Sequence, residues 1–294
     1  LDRKRLAPTG AVYRYVLLGM SRRPTTFDDA DARWMSRALD LAETGLGRVW
    51  PNPSVGCVLV FREQVVGEGR TLDGGRPHAE AVALAAAGAR ARGATAYVTL
   101  EPCSHWGKTP PCCDALIGAG VARVVIACLD RDRRVDGKGL ERIRAAGIAT
   151  GVGLGRRRAL SINRGFFHRI DTGRPWVGRA GPAGDLAARA PSWDAVLVEA
   201  VGGVVPVEQQ VTLTLAPSPQ LTVPSRSGDR TVYPLGRAHA EPEKLQAALA
   251  LLGETGFTRL LVPAHGRLTD AMLEAGLIDE PDLESELSPV SESS

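Results

Sequence analysis

Apolar positions recur along the first half of the chain at helical and then at strand-like spacing. Over residues 31–43, Met35, Ala38, Leu39 and Ala42 share one helical face and the pattern stops before Gly45, which predicts an amphipathic helix. Residues 54–61 (SVGCVLVF) form a short, valine-rich apolar run, a second begins at Val65 and Val66, and residues 95–100 and 121–129 supply two more. Runs this short, bounded by glycine and charge, predict buried strands. Helical stretches over 78–92, 112–117 and 139–146 separate the later runs. The resulting βαβα order predicts a largely parallel, right-handed α/β layer, whose sites lie at the carboxyl ends of the strands.

Both ends of the chain depart from this pattern. Residues 1–26 carry basic residues and an apolar patch at 15–20, without the longer apolar stretch and small-residue cleavage site of a signal peptide. They are expected to be a disordered arm or an over-extended start, since Leu1 is no initiator and Met20 precedes the first patterned segment. Residues 281–294 belong to a stretch rich in acids and serine with no basic residue, and are expected to be a disordered tail. The remaining length suits two modest domains. Hydrophobic residues at 44% and charged residues at 23% are ordinary for a globular chain, and no apolar run approaches the roughly 18 residues of a membrane span, so no membrane partner is expected. A net charge of +3 is too mild to point to nucleic acid. Five cysteines, an odd count confined to the first half, suit a reducing compartment, and a cytoplasmic location is expected.

Chemistry-bearing residues fall where the predicted strands end and helices begin. His78-Ala79-Glu80 opens one helix, Glu101-Pro102-Cys103 follows a strand, and Cys112 opens the next helix. Two thiolates and an imidazole suit tetrahedral zinc, and three protein ligands leave the fourth position that catalytic sites keep open. A helix N-terminus lowers a thiol pKa, which favours Cys112 as a thiolate. Glu80 stands two residues after His78, a spacing at which helical side chains do not face each other, so it suits a general base better than a further ligand. H-x-E followed by P-C-x-x-C is the pattern of zinc deaminases, in which the glutamate acts as general acid and base. Here the second cysteine comes nine positions after the first, within CSHWGKTPPC. Cys57, Cys113 and Cys128 lie in apolar contexts and read as core thiols, and the arginine-rich runs at 131–134 and 156–158 as solvated faces.

Taken together, SVGCVLV after Pro51-Asn52-Pro53, HAE at 78, TLEPCSHWGKTPPC from Thr99 and INRGF from Ile162 closely resemble the bifunctional deaminase/reductase family of riboflavin biosynthesis. The resemblance implies an α/β protein: a three-layer cytidine-deaminase-like domain over 27–172, then a truncated dihydrofolate-reductase-like α/β domain over 173–280. It implies zinc as cofactor, with His78, Cys103 and Cys112 as ligands and Glu80 as the catalytic residue. The implied reaction is hydrolytic removal of the 2-amino group of 2,5-diamino-6-(5-phosphoribosylamino)pyrimidin-4-one. Substrate contacts in that family map to Asn52, His105, Lys108 and Thr109. Lys108 suits an anionic phosphate and His105 a heterocycle, while Asn52 between two prolines is also a turn former. Where the family usually has a histidine seven positions before that of HAE, this chain has Thr71, which predicts weaker substrate affinity.

The second half carries fainter resemblances. Gly173-Arg-Pro-Trp-Val177 is similar to the start of the family's NADPH-dependent reductase, Trp193-Asp-Ala-Val-Leu-Val198 to its second strand, and residues 260–262 and 268–280 to its closing strand and helix. The site motifs are altered. A lysine is missing from Val177-Gly-Arg-Ala180, leaving Arg179 or Asp185 as stand-ins; paired aspartates become Val207-Glu-Gln-Gln210; and the phosphate loop becomes Pro263-Ala-His-Gly266. Such changes imply an inactive reductase half retained for packing or oligomerisation, and leave NADPH binding open. Three readings follow. A zinc deaminase of a small phosphorylated pyrimidine, compatible with a homo-oligomer, is favoured over a fully bifunctional enzyme. A nucleic-acid base deaminase is disfavoured by the cysteine spacing, the mild charge and an aromatic content of 5%.

Overall fold

The computed structural model describes residues 26–107, 110–132, 135–181, 189–199, 210–214, 220–224, 230–234 and 241–279. Lys108, Thr109, Asp185, residues 207–209 and nearly all of both expected disordered ends lie outside the described residues.

Helix α1 (Asp29–Glu43) begins with a reciprocal cap: the Asp28 carboxylate accepts from Asp31 N–H at 2.7 Å, and the Asp31 carboxylate from Asp28 N–H at 3.4 Å. It buries Met35, Ala38, Leu39 and Ala42, the face its spacing predicts. Its partner layer is a five-stranded sheet of β1 (Gly56–Phe61), β2 (Gln64–Arg70), β3 (Thr95–Val98), β4 (Arg123–Ile126) and β5 (Ala149–Val152), in the order β2-β1-β3-β4-β5. Strands β3, β4 and β5 are parallel, whereas β1 runs antiparallel to both β2 and β3. The sheet is therefore mixed, not largely parallel as the element order predicts. The cause is local: Arg62 and Glu63 both adopt positive φ, 51° and 62°, and turn the chain in a two-residue hairpin that joins only antiparallel neighbours.

Helices α2 (Ala79–Ala87), α3 (Cys112–Ala119) and α4 (Lys138–Ala145) pack in sequence on one face of this sheet, with α1 and α5 (Arg156–Ile162) together on the other, completing three layers. Both faces of β1 are consequently buried, from Cys57 to Val60. In the first turn of α1 the buried Asp31 carboxylate accepts from both Arg123 Nη atoms, at 2.7 and 2.9 Å, and from the Tyr97 hydroxyl at 2.8 Å. Burial pushes this carboxyl up, but Arg123 and the Tyr97 hydroxyl outweigh it and hold it below the ordinary value. A depressed folded-state pKa stabilises above the ordinary carboxylate range and loses that contribution as pH falls through the lowered value. Asp31→Asn is accordingly expected to destabilise the fold by about 3 kcal/mol at neutral pH, since it strands a partly buried arginine. Urea melts should show the difference shrinking at acid pH.

Helix α6 (Arg164–Thr172) leads into a second, six-stranded sheet. Its strands are β6 (Trp176–Arg179), β7 (Ala195–Glu199), β8 (Gln210–Thr214), β9 (Gln220–Pro224), β10 (Arg230–Pro234) and β11 (Arg259–Val262), in the order β10-β9-β8-β7-β11-β6. Strands β6, β11, β7 and β8 are parallel, and β9 and β10 continue antiparallel. Helices α7 (Glu241–Thr255) and α8 (Arg267–Glu274) cover it, burying Leu245, Leu249, Leu252 and Met272 against Leu260 and Val262. No helix of the described residues is long and apolar enough to cross a membrane.

Candidate active site

His78 is the N-cap of α2, extended at φ −71° and ψ 158°, and its imidazole makes no capping hydrogen bond. Cys112 is the first residue of α3, behind Pro111, and Cys103 lies in the loop after β3. The three meet. His78 Nδ1 lies 3.7 Å from Cys103 Sγ and 3.4 Å from Cys112 Sγ, and all three donor atoms fall within 4.8 Å of one another. Zinc–sulfur and zinc–nitrogen bonds of about 2.3 and 2.0 Å at the tetrahedral angle put sulfur about 3.5 Å from nitrogen. The donor set thus fits zinc in both identity and spacing.

Hydrogen bonds from Cys112 and His78 hold the Cys103 thiol down at about 4, against burial, and the N–H at the start of α3 is donated to Cys103 Sγ at 3.3 Å. Cys112 is instead pushed up by Cys103, by burial and by Glu80, because its neighbour already carries the negative charge. Zinc would hold both as thiolates. Glu80, 4% exposed, sits in hydrogen-bonding contact with the Cys112 thiol. Burial pushes its carboxyl up to about 7, with His78 opposing and Cys103 adding to the rise. Such a group exchanges a proton near neutral pH, as a general acid and base must.

Two residues quoted with the motifs but given no role hold this constellation in place. The buried Glu101 carboxylate accepts from four backbone N–H groups: Gly139 at 2.9 Å and Leu140 at 3.1 Å on Oε1, Gly137 at 2.9 Å and Asp130 at 3.3 Å on Oε2. It ties the loop carrying Cys103 to the start of α4, and a Cβ at Gly139 would collide with the Pro102 carbonyl. Asn163, from the INRGF segment, accepts from Ser54 N–H at 2.8 Å and donates to Ser54 C=O at 2.9 Å, pinning the end of Pro51-Asn52-Pro53. Asn52 itself donates to Gly75 C=O at 3.0 Å, against the turn that delivers His78. Thr71 is buried and its hydroxyl accepts from Val55 N–H at 3.2 Å, a structural use of the position. His105 lies beside Cys103 in the same loop, with its Nδ1 buried and without a hydrogen-bond partner among the described residues.

A three-layer α/β domain with one histidine and two cysteines converging at helix starts, and a buried glutamate beside them, defines a zinc-binding deaminase domain. Residues 28–128 match the family described as cytidine and deoxycytidylate deaminase zinc-binding region. The diaminohydroxyphosphoribosylamino-pyrimidine deaminase of Buchnera aphidicola subsp. Schizaphis graminum is 48% identical over 145 residues, which cover 49% of this chain and 99% of that protein. Riboflavin biosynthesis protein RibD of Escherichia coli K12 is 54% identical over 147 residues, 50% of this chain and only 40% of that protein. Two solved structures align across both halves. Acinetobacter baumannii RibD has a TM-score of 0.64 at 30% identity, covering 85% of this chain and 84% of that one. The deaminase/5-amino-6-(5-phosphoribosylamino)uracil reductase of Thermotoga maritima has a TM-score of 0.66 at 27% identity, covering 83% and 84%. The chain belongs to the diaminohydroxyphosphoribosylamino-pyrimidine deaminase family.

Proposed function

We propose that the chain hydrolyses the 2-amino group from 2,5-diamino-6-(5-phosphoribosylamino)pyrimidin-4-one, releasing ammonia and the corresponding aminouracil, in riboflavin biosynthesis. The observation that carries this reading is the His78, Cys103 and Cys112 triad with Glu80 beside it, in a chain about half of which matches 99% of a diaminohydroxyphosphoribosylamino-pyrimidine deaminase. Zinc, when bound, is a Lewis acid that makes water nucleophilic near neutral pH. Glu80 takes a proton from the attacking water and returns it to the departing amino group, so the C–N bond breaks as ammonia forms. Asn52, His105, Lys108 and Thr109 bind the substrate; the buried Nδ1 of His105, without a partner among the described residues, supports a ligand contact there, since such groups otherwise find a partner. The acceptor is a small phosphorylated pyrimidine and not nucleic acid, in keeping with the mild charge. A reducing, cytoplasmic setting goes with five free cysteines.

In this reading residues 27–172 are the deaminase and 173–280 a reductase-like domain that does not reduce. Support comes from β6, where Gly178 abuts the Trp193 ring so closely that a Cβ would collide with it, and Trp193 stacks on Trp176 at 5.1 Å and 8°. Arg259 lies over both rings. The strand that carries a lysine in the family is here packed against tryptophan. The Pro263 carbonyl accepts from Thr269 Oγ1 at 2.9 Å, and Pro263 has no N–H to offer a phosphate. The purified protein is expected to release ammonia from the diaminopyrimidinone phosphate and then stop. Absence of ammonia release would overturn the deaminase assignment. NADPH oxidation with the aminouracil at roughly 0.1 per second or faster, against the roughly 1 to 10³ per second usual for enzymes, would restore the bifunctional reading.

A further inference from the structure

We infer that the second half positions the substrate loop of the deaminase, through a ring stack of Trp50 on Phe257. The inference rests on the substrate reading above, in which Asn52 contacts the pyrimidine. The loop between α1 and β1 carries Val49-Trp50-Pro51-Asn52-Pro53, and the deaminase layers hold it through Asn163 on Ser54, Gly75 on Asn52 and the Gly74 N–H donated to Arg48 C=O at 2.9 Å. The other half adds an apolar support of its own. The Trp50 and Phe257 rings stack with centroids 4.3 Å apart and planes 21° apart. Phe257 is 1% exposed, and Trp50 packs at the edge of the core built by Leu245, Leu249 and Leu252, the one residue of the first half to do so among the described residues.

Three backbone contacts flank the stack. Arg169 donates from Nη2 to Pro51 C=O at 3.4 Å and from Nη1 to Gly253 C=O at 3.2 Å, joining the loop to the end of α7. Gly47, at φ 75°, lies so close to the carbonyls of Pro191 and Trp193 that a Cβ would collide with them. The substrate loop is thus seated between two units, and the second unit is a positioning element whatever has become of its own chemistry. Asn52 is brought to the substrate only while the loop is seated. Unseating it lowers the competent fraction and weakens apparent binding by that fraction, while Glu80 and the metal ligands, on α2, α3 and the Cys103 loop, keep their places.

The test uses the full chain and four variants: Trp50→Ala, Trp50→Phe, Phe257→Ala and Met272→Ala. The last opens a cavity in the same core without removing either ring of the stack. Two quantities are measured, deuterium exchange at the Asn52 amide, bonded to Val49 C=O at 3.1 Å, and the kcat and KM for ammonia release. Trp50→Ala and Phe257→Ala are expected to speed exchange at Asn52 and raise KM roughly fivefold, as the loss of an aromatic pair implies. The change in kcat should stay within about twofold, the signature of lost uniform binding. Trp50→Phe, which keeps a ring, should restore both, and Met272→Ala should lower the melting temperature with KM unchanged. Unchanged exchange in Trp50→Ala, or a rise in KM for Met272→Ala equal to that for Phe257→Ala, would overturn the inference. Should Phe257→Ala fail to fold, the Trp50 pair decides. A wild-type protein that releases no ammonia would sink the substrate reading alone, because the exchange comparison would still show whether the stack seats the loop.

Discussion

Glu80→Gln is expected to keep the zinc and the fold while losing ammonia release by about 10²- to 10⁴-fold, the usual contribution of a positioned general acid and base. Gln retains the size and hydrogen-bonding reach of Glu at a site that is 4% exposed, so packing in the first turn of α2 is preserved. What disappears is the proton traffic: an amide neither accepts a proton from water nor hands one to a leaving amine. The carboxyl rises to about 7 chiefly because burial disfavours its charge, so Gln also avoids leaving a new buried charge behind. Zinc content and the melting curve should match the parent protein, while kcat falls. Near-parental turnover in Glu80→Gln would assign the proton transfer to another group.

Cys103→Ala and Cys112→Ala are each expected to strip the metal, taking the protein from about one tightly held zinc per chain to trace content, with activity lost in step. A site with three protein ligands has none to spare, and each sulfur supplies one corner of a set whose donor atoms lie within 4.8 Å. The two changes should differ in their side effects. Cys103 Sγ also accepts the Cys112 N–H at 3.3 Å, so its loss leaves a backbone donor at the start of α3 without that partner. Cys103→Ala should therefore lower the melting temperature of the metal-free protein more than Cys112→Ala does. Elemental analysis that finds an active, metal-free protein would overturn the assignment of all three ligands.

Much of the site was legible in one dimension because its chemistry depends on residue type at helix starts. His78 and Cys112 open α2 and α3, and Glu80 follows by two, so motif and local structure point to the same place. Helical spacing likewise located α1, and short apolar runs located β1, β3 and β4, to within a few residues, since α1 buries the one face its spacing announces and the strands are buried on both. The hairpin between β1 and β2 escaped, because Arg62-Glu63 lacks the asparagine and glycine that usually mark two residues at positive φ. The parallel sheet expected from alternating elements became a mixed one for that single reason.

What the sequence by itself determined is therefore the identity of the donors and the proton carrier, together with the elements that present them. What only the tertiary structure decided is which groups hold those donors still. Glu101 finds its N–H partners up to 39 positions along the chain, and Asn163 meets Ser54 across 109. Trp50 meets Phe257 in the other half of the chain, and Cys103 Sγ receives the N–H that opens α3. The physical reason is common to all four. Helix and strand periods are read from neighbours in the chain, whereas a carboxylate, an amide or a ring that closes contacts between distant segments has its partners chosen by packing.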